Sequence, residues 1–203
     1  LRLFAFDTLQ QISPREPIED DPILIIDIDD ESLSNLGQWP WPRNLLSKLV
    51  ENTELALTTS FDIVFGERDR TGSDVLTEQY STSSNLVKEL KKIKPNDEVF
   101  AESMESHTAV VLGSAPNNKL VNEYIGPKFG LIIQGDSPKQ FLPNYTGIQN
   151  NLPSLMDSAA GIGSMSIGGE SSVVRSLPTF EVVNGQIVPS LMLETLRVAI
   201  GAS

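Results

Sequence analysis

The stretch Gly37-Gln38-Trp39-Pro40-Trp41-Pro42-Arg43 holds both tryptophans of the chain within seven residues. Pro40 and Pro42 fix their own φ and push the residue before each of them into an extended conformation. Both indoles are therefore held in a stiff segment. Pro42 stands where a proline favours the start of a helix, so Arg43 is expected at a helix N-terminus. Just before lies an acidic, β-branched run, Ile23 to Glu31. A strand, a stiff aromatic corner and a helix are thus predicted in succession, with polar residues gathered where they meet.

The chain of 203 residues is long enough for one sizeable core. We expect one domain over residues 1–203. A net charge of −12 leaves no basic footprint for nucleic acid and disfavours an anionic membrane surface. With no cysteine, disulfides, thiolate metal sites and cysteine nucleophiles are excluded. No apolar stretch reaches the roughly 18 residues that a membrane span requires. The chain opens on Leu1 inside a helical pattern and stops after an amphipathic one. It is expected to be a soluble piece of a longer protein.

Helices are predicted at 1–12, 30–36, 43–54, 74–81, 85–94, 96–106, 152–160 and 189–200. Asn96 is the expected N-cap of its helix, and Gly37 the stop of the short turn before the tryptophans. Strands are predicted at 23–29, 57–65, 109–113, 131–133, 162–167 and 173–183. The last should fold back through Asn184-Gly185 onto Ile187-Val188, since that dipeptide favours a two-residue hairpin. Residues 13–22 read as a polar connector. The expected fold is α/β: a central mixed β-sheet with a parallel βαβ core, flanked by helices, with a C-terminal β-hairpin and terminal helices. Residues 23–29 and 57–65 are predicted to be its adjacent parallel pair, with the 43–54 helix crossing between them.

Asp27 and Asp29 would share one face of a strand, and Asp62 would end its neighbour. Ligands of open α/β sheets gather beyond the carboxyl ends of the strands. Three carboxylates there could hold a divalent cation; equally, one could cap the next helix or pair with Arg43. The Arg43 guanidinium suits a carboxylate or phosphate ligand, or an internal pair with Asp29 or Asp62. The loop Glu67-Arg68-Asp69-Arg70 reads as self-paired or as part of a site. Gly161-Ile162-Gly163 with Gly168-Gly169 lacks the third glycine of a dinucleotide loop, since position 166 is Ser166. His107, the one histidine, is expected at a helix end. No serine sits in a nucleophile elbow.

Taken together, several segments resemble the type-2 CHASE domain. They are Phe6 to Gln10, Asp27 to Leu33, Gly37 to Arg43, Phe61 to Phe65 with Glu67 to Arg70, and Val110 to Gly113. Further on come Asn151-Leu152-Pro153, Val174 to Pro178, and Pro189 to Leu191 with Leu193-Glu194. The chain departs from the pattern at Gly168 to Ser172, where an aspartate-rich turn is usual, and at Ser73, where proline is usual.

The resemblance implies an extracytoplasmic, periplasmic sensory domain of a bacterial inner-membrane receptor, with a cyclase or kinase as its cytoplasmic output. It implies no catalytic residue, metal or cofactor in the domain itself. The stimulus would be a small molecule or protein, and the receptor a membrane-tethered homodimer with both ends of the domain facing the bilayer. The resemblance carries over no established binding residues; the ligand-binding set expected for this chain itself is Asp27, Asp29, Trp41, Arg43, Asp62, Asp69 and Arg175. Two other readings stay open: a metal-dependent hydrolase using Asp27, Asp29 and Asp62, and a dimerisation module without a ligand.

Overall fold

The computed structural model describes residues 2–14, 22–82, 84–107, 109–120, 128, 130–167 and 173–202. The chain divides into two compact units, Leu1–Trp39 and Pro40–Ser203. Most of the 13–22 connector and the Gly168 to Ser172 turn lie outside the described residues.

The first unit holds α1 (Arg2–Ile12) and α2 (Asp30–Leu36). Leu3, Phe4, Leu9 and Ile12 of α1 are exposed. Asp29 caps α2: its Oδ1 accepts from Ser32 N at 2.8 Å. Asp30 and Glu31 sit in the first turn, where the helix dipole favours negative charge. Gly37, at φ +95°, ends the helix in a region that suits glycine.

Residues 23–29 do not form the predicted strand. Ile23, Leu24 and Ile25 are 74%, 85% and 85% exposed. The expected parallel pairing of this run with 57–65 is therefore corrected. A β-branched run reports a preference for an extended, buried environment, but a ladder also needs a neighbouring strand to supply its hydrogen bonds.

In the second unit the parallel core is built from other segments. β1 (Thr59–Phe61) pairs in parallel with β2 (Val110–Asn117), Phe61 opposite Leu112. β5 (Gly161–Ser164) pairs in parallel along the other edge of β2, Leu112 opposite Ile162. Every residue from Val110 to Ser114 is buried, as expected of a parallel strand covered on both faces. Beyond Ser114 the same strand runs antiparallel to β4 (Gly147–Gln149). A second sheet has the order β3 (Asn144–Tyr145), β6 (Phe180–Val183), β7 (Gln186–Pro189). A bridge from Ser164 to Ser190 links the end of β5 to the end of β7. The hairpin between β6 and β7 turns at Asn184 and Gly185, both at positive φ, as the dipeptide predicted.

The remaining helices are α3 (Arg43–Asn52), α4 (Ser73–Gln79), α5 (Ser84–Leu90), α6 (Asn96–Ser106), α7 (Pro153–Ser158) and α8 (Leu191–Ala199). α3 buries Arg43, Leu46, Ser47 and Val50, one face at helical spacing, and packs against α6. α8 packs on β5, β2 and β1. Its close approach needs glycine: a Cβ on Gly163 would lie 2.5 Å from Leu191 Cα. Phe61, Phe65 and Phe100 form an edge-to-face trio with centroids 5.4–5.6 Å apart.

Other boundaries differ from the sequence reading. The 57–65 strand is confined to Thr59–Phe61, and 173–183 to Phe180–Val183. Residues 131–133 are irregular. Pro189 ends β7, and Ser190 is the cap of α8, accepting from Leu193 N. Pro95, not Asn96, occupies the N-cap of α6, which frees the Asn96 amide for a longer-range role. Among the described residues no helix is long and apolar enough to cross a membrane.

Candidate functional site

The stiff proline segment delivers Trp41 and Arg43 into the interior, while Trp39 stays exposed. Pro42 has no side chain to cap α3. The cap comes instead from a distant loop: Asp69 Oδ2 accepts from Arg43 N at 2.6 Å. The same oxygen accepts from Asn96 Nδ2 at 2.9 Å. Its other oxygen accepts from Thr71 N and Thr71 Oγ1, both at 2.8 Å. One carboxylate thus ties the start of α3, its own loop and the start of α6.

Asp97, in the first turn of α6, completes the cluster. Its Oδ2 accepts from Asp69 N at 2.9 Å. Its Oδ1 lies 3.5 Å from Arg43 Nε, within ion-pair range, and neither atom makes a hydrogen bond. The Arg43 guanidinium stands 4.4 Å over the Phe65 ring, and its Nη2 reaches Glu67 O at 3.5 Å. Arg43, Asp69 and Asp97 are 7%, 7% and 8% exposed.

Burial works against all three charges. It pushes the Arg43 guanidinium down from its ordinary value, against the pull of Asp97 and Asp69. Burial acts most strongly on Asp69 too, but the donors from Arg43, Thr71 and Asn96 together hold it below its ordinary value. Asp97, with fewer donors, is raised by burial, and by the neighbouring Asp69 and Asp74 charges.

Arg43 therefore pairs with Asp97, not with the expected Asp29 or Asp62. Asp62 is exposed, as are Asp27 and Asp29. Asp29 is occupied in capping α2, and hydrogen bonds from Ser32 hold its carboxyl low. Among the described residues no group of three His, Cys, Asp or Glu side chains is placed to hold a metal ion. Arg175 is half-buried and donates to Val173 O at 3.4 Å. Of the expected set, the structure brings Arg43 and Asp69 into one cluster. Neighbouring Arg68 is exposed and clamps Asp74 and Glu78.

Two elements of this interior escaped sequence reasoning. Asp97 reads locally as an ordinary first-turn acid of a helix. Asn151 stands in a segment that carries the resemblance but has no role legible from its type alone; its Oδ1 accepts from Phe65 N at 2.6 Å and its Nδ2 donates to Gly113 O at 2.8 Å. It stitches the loop after β1 to the middle of β2. A second buried polar group lies near the β5–β7 bridge. There Ser164 Oγ donates to Glu181, and Arg197 grips Glu194 through two hydrogen bonds at 2.8 and 2.9 Å.

A polar junction built on the Trp-Pro-Trp-Pro-Arg corner, beside a parallel three-strand core, calls for comparison with known domains. The family model described as the CHASE2 domain matches residues 1–203, across both units. The chain belongs to the CHASE2 family, the type-2 CHASE domains, which are extracellular sensory domains of receptor cyclases and kinases. No curated protein and no solved structure matches it.

Proposed function

We propose that the chain is the non-catalytic, periplasmic input domain of an inner-membrane receptor. Its output would be a cytoplasmic class III adenylate or guanylate cyclase, or a histidine kinase. A small molecule or protein stimulus shifts the domain between two arrangements, and α1 and α8 carry the difference toward the membrane. Such a stimulus acts only through its differential affinity for the two arrangements. The expected ligand-binding set stays as proposed: Asp27, Asp29, Trp41, Arg43, Asp62, Asp69 and Arg175.

The observation that carries this reading is the family match from the first residue to the last. The buried cluster also supports it: Arg43, Asp69 and Asp97 tie the start of α3, the Glu67–Gly72 loop and the start of α6 together, so a stimulus felt at one of them would reach the other two. Met192, Leu196 and Ile200 of the α8 region recur at helical spacing and are exposed, which suits a homodimer seam.

The test is a turnover screen of the purified chain against phosphatase, esterase and peptidase substrates, with and without Mg²⁺, Ca²⁺ and Mn²⁺. We expect no turnover. Metal-dependent activity lost in Asp29→Ala would replace the sensor with a hydrolase.

A further inference from the structure

The charges that meet where α3, the Glu67–Gly72 loop and α6 join do not balance. Arg43 supplies one positive charge, and Asp69 and Asp97 supply two negative ones. All three are less than a tenth exposed. A buried cluster with a net charge is costly, and two carboxylates beside one guanidinium can reach neutrality by binding one proton. We propose that this cluster takes up a single proton on acidification, on Asp97 and ahead of Asp69. Proton uptake tightens the junction of α3, the loop and α6, which makes it an acid-strengthened latch.

The hydrogen bonds say which carboxyl takes the proton. Asp69 accepts four, two on each oxygen, and its anion is therefore well supported. Asp97 accepts one, and its Oδ1 is buried without a hydrogen bond. The other charges around Asp97 leave the cluster net negative. Asp74 of α4 adds negative charge and is itself held by Arg68, which also binds Glu78. Lys94, just before α6, is paired with Glu102. The side chain of Glu67 is exposed, and Arg43 touches only its backbone carbonyl. α7 meets a charge of α6 at the far end, where Ser158 Oγ donates to Glu105.

The sign of the effect follows from linkage. Asp97 is raised above 3.8 in the fold, so the folded chain holds this proton more tightly than the unfolded one. Stability therefore rises as pH falls through the interval above 3.8. Asp69 is held below 3.8, and its contribution is lost only under stronger acid, when protonation removes the acceptor of Arg43 N. The latch is tightest while Asp97 carries a proton and Asp69 does not. An extracytoplasmic domain meets the protons of its medium directly, but the latch itself does not depend on any output.

Two measurements on the whole chain test it. The Asp97 carboxyl carbon is followed by NMR from about pH 3 to pH 8, and unfolding midpoints of the parent and Asp97→Asn are compared over the same range. The expected carboxyl midpoint lies above 3.8. Asp97→Asn should be at least as stable as the parent at neutral pH, with the unfolding midpoint of the parent rising relative to that of Asp97→Asn as pH falls toward 4. A carboxyl midpoint below 3.8 overturns the latch. So does an Asp97→Asn chain that is less stable at neutral pH or fails to fold, which is how an ordinary ion pair behaves.

Discussion

Arg43 spends its guanidinium on Asp97, the Glu67 carbonyl and the face of Phe65. Its own backbone N–H is capped by Asp69. Arg43→Ala leaves two buried carboxylates without a counter-charge, so unfolding in urea should show a loss of about 3 kcal/mol. An unchanged midpoint would mean that the guanidinium does not lie in the interior. Asp69→Asn keeps the shape but halves the acceptor capacity facing four donors. It should cost about 2 kcal/mol at neutral pH. Because Asp69 is held below 3.8, that cost should shrink as the parent itself is acidified below 3.8. A cost that is independent of pH would show that charge is not the cause. The proximity of Arg43 to a carboxylate was legible in the sequence, since a stiff Pro-Trp-Pro corner ahead of a helix drives its first residue inward. Which carboxylate was not legible. Asp97 carries no local signal that separates it from any acid in a first helical turn, and the pairing exists only once α3 and α6 have packed.

At the scale of elements, amphipathic helices and the Asn184-Gly185 hairpin were legible because their signals are local. α6 occupies residues 96–106 as its periodicity predicts, and α3 buries one face at helical spacing. Strand pairing was less legible. β1 and β2 carry their burial pattern in the sequence, but no residue states which strand lies beside which. The run Ile23 to Ile26 has the composition of a buried strand and forms none. This correction can be checked by Leu24→Ser. Leu24 is 85% exposed, so the substitution should change the unfolding free energy by no more than about 0.5 kcal/mol. A loss of about 2 kcal/mol would show that the run is buried in solution, as its composition suggests.

At the scale of the molecule, the family was legible because its motifs run in order through the whole chain, and the family match covers the same 203 residues. The ligand was not legible. Candidate acids such as Asp27, Asp29 and Asp62 are exposed, and an exposed carboxylate has the same appearance with or without a ligand to bind. The central claim is that this domain is the outward-facing input of a membrane receptor. The absence of cysteine from the chain makes a clean test of that claim possible. Leu55 is 97% exposed, so Leu55→Cys in the full-length protein presents one accessible thiol on the domain. Cells with an intact inner membrane are treated with a maleimide that cannot cross it, and the parent protein without the substitution serves as the blank. Labelling of Leu55→Cys in intact cells is the result the account predicts. Labelling that appears only after the inner membrane is broken would place the domain in the cytoplasm and contradict it.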